Sequence, residues 1–106
     1  MLSAAQVRRI ALGFPEAAEQ DHHGFPSFRV NDRIFATLPD PGHLNVMLDA
    51  NQTFWSVQHY PDTCEELWWG KRLSGVRVDL GLAGRPMVAD LLSEAWRRKA
   101  PSHLVV

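Results

Sequence analysis

The residues of this chain best suited to chemistry are its cations, and the chemistry they suit is contact with phosphate. Arg29 and Arg33 flank Asn31-Asp32, and Lys71 and Arg72 fall in the segment Gly70-Lys71-Arg72-Leu73-Ser74-Gly75, which reads as an exposed loop. Two hairpin tips facing the same way could set Arg29, Arg33, Lys71 and Arg72 astride phosphates, with a tip entering a groove. Arg77, Arg97 and Arg98 would extend that surface. Binding built on about four phosphate contacts weakens steeply with salt. Asp32 stands between the first two cations, and the chain carries a net charge of −1. That charge is unevenly divided. Residues 1–70 hold four arginines against nine acids, a net of −5, and residues 71–106 hold seven cations against three acids, a net of +4. Such asymmetry either marks a binding face or cancels when the two halves pack together.

Other chemistries have less to work with. Asp21-His22-His23, His43 and His59 are the candidate metal ligands. Neighbouring histidines on an extended chain point apart, and neither H-x-x-x-H nor H-E-x-x-H occurs, so a structural reading is expected and no metal or cofactor. The single Cys64 forms no internal disulfide and has no neighbour in sequence that would lower its pKa; a small packed residue is expected. Glu16, Glu19, Glu65 and Glu66 lack a placeable partner for acid–base work, so no catalytic residue is assigned and a non-enzyme is expected. Trp55, Trp68 and Trp69 add aromatic area that could stack bases or line a cleft for a protein or small ligand.

The elements that must hold these residues are legible from periodicity and punctuation. Ser3-Ala4-Ala5-Gln6 reads as a capping box, followed by an apolar stripe of Val7, Ile10, Ala11 and Phe14 that ends at Gly13 and Pro15. Glu16 to His23 allows an edge strand. Phe25 to Leu48 then reads as an antiparallel meander. Phe28 and Val30 share one face, with Ser27 and Arg29 on the other; Ile34, Ala36 and Leu38 alternate with Phe35 and Thr37; Leu44, Val46 and Leu48 form the third run. One covered face and one wetter face is expected. Asn31-Asp32 tolerates the positive φ of a type I′ turn, and Pro39-Asp40-Pro41-Gly42 is turn chemistry throughout. Asp49 to Gln52 repeats the capping box and opens a short helix to about Gln58, expected to bury Phe54 and Val57. Residues 63–75 hold a fourth strand, with Trp68 and Trp69 on opposite faces, and Val76, Val78 and Leu80 make a further strand. Pro86 suits a first helical position, Val88, Leu91, Leu92, Ala95 and Trp96 form a stripe, and Arg97-Arg98-Lys99 sits where the helix dipole favours cations.

At 106 residues, 45% hydrophobic and 22% charged, one globular domain over 1–106 is expected. The order is helix, antiparallel strands, short helix, strand, helix: an α+β fold, an antiparallel β-sheet with helices packed on one face. Met1-Leu2-Ser3 shows no signal-peptide pattern and no apolar run approaches the roughly 20 residues of a membrane span, so a cytoplasmic protein with no membrane partner is expected.

Gly24-Phe25-Pro26-Ser27-Phe28-Arg29-Val30, then Arg33-Ile34-Phe35-Ala36, the strand Val76 to Leu80, and Ala95-Trp96-Arg97 with Ala100-Pro101 together resemble the YjbR/MmcQ family of small bacterial proteins. The resemblance spans nearly the whole chain. It implies a CyaY-like α+β fold, that of the bacterial frataxin homologue, and DNA binding through a double wing of β-hairpins. It implies no catalytic residues. Frataxin-type iron binding would need a carboxylate-rich first helix, whereas this one carries Arg8 and Arg9 and no acid from Ser3 to Phe14.

Overall fold

The computed structural model describes residues 1–105. Helix α1 (Ala4–Leu12) precedes strands β1 (Ala18–His22), β2 (Phe25–Val30), β3 (Arg33–Asp40) and β4 (His43–Met47); α2 (Ala50–His59), β5 (Cys64–Trp69), β6 (Arg72–Asp79) and α3 (Arg85–Lys99) follow. The six strands form one sheet in the order β1-β2-β3-β4-β6-β5, each neighbour antiparallel. This is the expected α+β arrangement, with two more strands, β1 and β5, than the meander and the Val76 run alone would supply.

Both capping boxes form. Ser3 Oγ accepts the Gln6 N–H at 3.2 Å and Gln6 Oε1 accepts the Ser3 N–H at 2.9 Å; Asp49 Oδ1 accepts the Gln52 N–H at 2.7 Å and Gln52 Oε1 accepts the Asp49 N–H at 3.1 Å. The glutamines hold the first turns from both sides. Helix α3 starts at Arg85, so Pro86 falls one position later than expected.

The core lies between one sheet face and the helices. Phe28, Ala36, Val46 and Val76 oppose one another in turn across β2, β3, β4 and β6, and they pack with Val88, Leu92 and Ala95 of α3. Each large side chain removed from water here contributes roughly 1.5–3 kcal/mol. Phe14 bridges the layers, edge-on to Phe35 at 6.3 Å and stacked on Trp96 at 6.0 Å. The Trp96 Nε1–H donates to the Pro15 carbonyl at 3.0 Å, which satisfies the indole and pins the end of the α1 segment.

Four expectations need correction. The face away from the helices is not wet at its centre: Ser27, Thr37 and Asn45, aligned across β2, β3 and β4, are 0%, 1% and 8% exposed. They are small, so the longer Arg29 and Arg77 beside them shed water from the row, their stems lying along the sheet. Phe35 leaves strict alternation because the β2–β3 register shifts between Phe28 and Arg29, which admits its ring to the core. Helix α2 buries Thr53 and Ser56 with Val57 and Tyr60 half-buried, a stripe of i, i+3, i+4 and i+7, while Phe54 is 49% exposed. Small residues on that stripe let α2 lie close to β5 and β6, and Phe54 falls off it. Finally, residues 70–75 are not a loop. The turn is only Gly70-Lys71, with Gly70 at φ 62°, and β6 begins at Arg72.

Gly75 is the position where only glycine fits. Its φ is 151°, and a Cβ there would stand 1.9 Å from the Val46 carbonyl oxygen. No helix among the described residues is long and apolar enough to cross a membrane.

Two outcomes follow. Gly75→Ala must push β6 off β4 and is expected to destabilise by roughly 3 kcal/mol or more, read as a melting point lower by more than about 10 °C; an unchanged melting curve would contradict the close approach. Burial pushes the Cys64 thiol up to about 11. Its reaction with a water-soluble disulfide reagent at pH 7.5 should therefore run at least roughly 100-fold slower in the native protein than in the denatured chain, since the thiolate is the nucleophile. Equal rates would show the thiol open.

Candidate nucleic-acid interface

Strand direction decides which turns meet. β2 runs up to Val30 and β3 runs back from Arg33; β4 runs up to Met47; β5 runs up to Trp69 and β6 back from Arg72. The Asn31-Asp32 and Gly70-Lys71 tips therefore rise at the same end of the sheet. β3 and β6 are both neighbours of β4, so the near edges of the two tips, at Arg33 and Arg72, stand about 10 Å apart, two strand spacings. Between them β4 stops at Met47 and the chain turns into α2. The result is a recess of about 340 Å³ floored by Met47 and Leu48 and walled by the two hairpins and the end of α3.

Arg33, Arg72, Arg98 and Lys99 line this recess, with Trp69 among them and no acidic residue. None of the four cations lies within ion-pair distance of a described acid; the ion pairs present involve Arg8, His43 and Arg77. The crowding is visible in Lys99, whose pKa is held below its ordinary value by burial first and then by Arg98, Arg33 and Arg72. Each hairpin closes in two residues. Asn31 and Asp32 both take positive φ, 52° and 61°, as a type I′ turn requires.

The other expected cations are elsewhere. Lys71 is exposed at the tip of the second hairpin, beside the recess but not in its wall. Arg29 lies along the helix-free face, its Nε–H donating to Ser27 Oγ at 3.1 Å. Arg77 points to the opposite end, where its Nη2 is 3.6 Å from Asp40, a carboxylate also 3.0 Å from His43 Nδ1. The His43 contact, chiefly, lowers the Asp40 pKa, so the carboxylate stays charged and offsets Arg77. Arg97 is exposed on α3, off the recess. Lys99 and the placing of Trp69 were missed from sequence. Both had signals: Lys99 ends the Arg-Arg-Lys run before Ala100-Pro101, and a two-residue turn sets Trp69 directly opposite Arg72.

The aromatic residues divide. Trp68 and Trp69 are both about half exposed at the end of the edge strand β5, and Trp69 lines the recess while Trp68 does not. Trp68 donates its Nε1–H to Glu66 at 3.2 Å. Trp55 lines a separate cleft of about 370 Å³ between α2 and α3 with Gln52, Asp90, Leu91 and Glu94, and Trp68 is not part of it. One face of Trp55 is stacked on His59 at 4.0 Å.

The histidines do not assemble. The rings of His22 and His23 lie 4.4 Å apart instead of pointing apart, because His23 turns out of the strand at φ 53°. Among the described residues no group of three or more His, Cys, Asp or Glu side chains is placed to hold a metal.

Comparison with known proteins fits this architecture. A search of curated proteins finds no match. Among solved structures, the crystal structure of a Deinococcus radiodurans protein with a DUF419 domain superposes with a TM-score of 0.75 at 19% identity, covering 91% of this chain and 77% of that one. At that identity the likeness speaks for the fold. The YjbR family model matches residues 12–98, from the end of α1 to the last turn of α3, and the chain belongs to the YjbR family.

Proposed function

We propose that this protein is a non-enzymatic DNA-binding protein, and that it grips double-stranded DNA through phosphates at the end of the sheet where the two hairpin tips and the α3 terminus meet. The observation that carries the reading is the gathering of Arg33, Arg72, Arg98 and Lys99 around one recess with no lining acid and no ion pair to a described residue. Unpaired cations held this close repel one another, and a polyanion relieves that repulsion. The hairpins act as two wings, with Lys71 at one tip and Arg29 behind the other as outer contacts. Arg97 extends the surface along α3. Arg77, neutralised by Asp40, belongs to it least. Contacts of this kind position a duplex and carry little base readout. The proposal places the protein in the cytoplasm, with the DNA.

A second reading rests on the Trp55 cleft. Asp90 and Glu94 face a half-exposed indole there, and such a pairing suits an organic cation on a small ligand or a partner protein. Choline titrated into the labelled protein should shift the Trp55 indole resonance, and Glu94→Gln should weaken that response; an unmoved resonance at high millimolar choline would close this reading.

The DNA reading is tested by anisotropy of a labelled duplex. With about four phosphates neutralised, the plot of log affinity against log salt should have a slope near −3.6, so affinity should fall roughly 150-fold from 50 to 200 mM salt. Arg33→Ala/Arg72→Ala should make the slope shallower by about 2, whereas Arg9→Ala, on exposed α1, should leave it unchanged. Absence of binding at low salt, or an unaltered slope in the double variant, would overturn the proposal.

A further inference from the structure

The cationic recess has a feature that a purely phosphate-binding surface does not need. Trp69 stands in it, 48% exposed, directly across the hairpin from Arg72. None of the aromatic ring pairs of the described residues involves Trp69, so its indole face is not covered by another ring. Exposing half an indole costs hydrophobic free energy, and a strand end beside a tight turn is a place where a polar residue would serve the fold as well. The floor under it, Met47 and Leu48, is apolar.

We propose that the recess receives an unpaired nucleotide of a single strand, with its base stacked on Trp69 and the flanking phosphates held by Arg33, Arg72, Arg98 and Lys99. The inference rests on the reading that this end of the sheet binds nucleic-acid phosphates and narrows it to strands with unstacked bases. A base inside a duplex keeps its faces against its neighbours and cannot offer one to a side chain in the wall of a recess. A single strand can, and every base has a π-face to offer, so the contact is tolerant of sequence. The recess, about 340 Å³, is within the range of small-molecule sites. A free mononucleotide fits less well: the four cations match several phosphates of a strand rather than the one of a monomer. The neighbouring Trp68 supplies an internal comparison, since it is equally exposed but lies outside the recess.

The experiment compares a labelled 20-nucleotide oligothymidine with a 20-base-pair duplex, by anisotropy at 50 and 150 mM salt. The oligothymidine is expected to bind at least fivefold tighter than the duplex, with a salt slope near −2.8, the single-strand value for four phosphates. Trp69→Ala should weaken oligothymidine binding by roughly 5- to 100-fold and leave duplex binding within twofold. Trp69→Phe should recover most of the loss, and Trp68→Ala should match the wild type; circular dichroism melts of each variant confirm the fold. Equal or tighter duplex binding, or the same loss from Trp68→Ala, would overturn the inference while leaving the duplex reading standing. Displacement of the strand by thymidine monophosphate at the strand's own concentration would also overturn it, in favour of a free nucleotide. If neither nucleic acid binds at the lower salt, both readings fall.

Discussion

The pairing of β6 with β4 is the contact on which the rest of the structure depends. The chain leaves β4 for α2, lays down β5 at the sheet edge, and only then returns β6 to the flank of β4, aligned from His43 opposite Asp79 to Met47 opposite Gly75. The ladder is prolonged beyond its last pair by the Leu48 N–H donating to the Ser74 carbonyl at 3.2 Å. At the other end the Leu80 N–H donates to the Gly42 carbonyl at 2.9 Å, and the Leu2 N–H to the Leu80 carbonyl at 2.9 Å, which ties the start of α1 to the same strand. Gly75 permits this closeness. Once β6 is placed, the direction of β5 and β6 follows, and with it the meeting of two hairpin tips at one end. The recess is a consequence of strand order, not of any residue in its wall.

That geometry sets a local charge against a nearly neutral whole. The net charge of −1 hides a recess with four cations and, on the other side of Leu48, a cleft carrying Asp90 and Glu94. Leu48 lines both. No ion pair among the described residues joins the two; Glu94 instead accepts from the Gln52 side-chain amide at 3.1 Å. The +4 of residues 71–106 is thus partly spent within the fold, where Arg77 meets Asp40, and partly concentrated at Arg72, Arg98 and Lys99. A fold under no such demand would gain stability by placing an acid among those cations.

Much of this was legible in the residues. The two capping boxes, the Asn31-Asp32 turn, the α3 stripe and the meander each combine a periodic pattern with local turn or cap chemistry, and local signals are what a single sequence carries. The misreadings came from register and from side-chain size. Phe35 was assigned a face by strict alternation, and it lies at a register shift where the ladder admits an extra residue. Phe54 was placed inside by hydrophobicity, but the sheet packs against the smaller Thr53 and Ser56. Arg29, Arg33, Lys71, Arg72, Arg77, Arg97 and Arg98 were grouped by proximity to turns. Only strand order separates Arg33, Arg72 and Arg98, which share a wall, from Arg29 and Arg77, which lie on the helix-free face and at the far end.

Short tips matter as much as charged ones. A long flexible loop bearing the same cations would lose rotational freedom on contact, and that loss would subtract from affinity. Here each hairpin closes in two residues, Asn31-Asp32 or Gly70-Lys71, with positive φ at Asn31, Asp32 and Gly70 to make the turn without strain on the strands. Arg33 and Arg72 are therefore first residues of strands rather than members of loops. Arg98 and Lys99 sit in the last turn of a fifteen-residue helix whose other face is core. The four charges are carried on backbone that is already ordered, so a bound strand would pay mainly for ordering itself. That is the condition under which a small recess with few contacts can hold a polymer that moves.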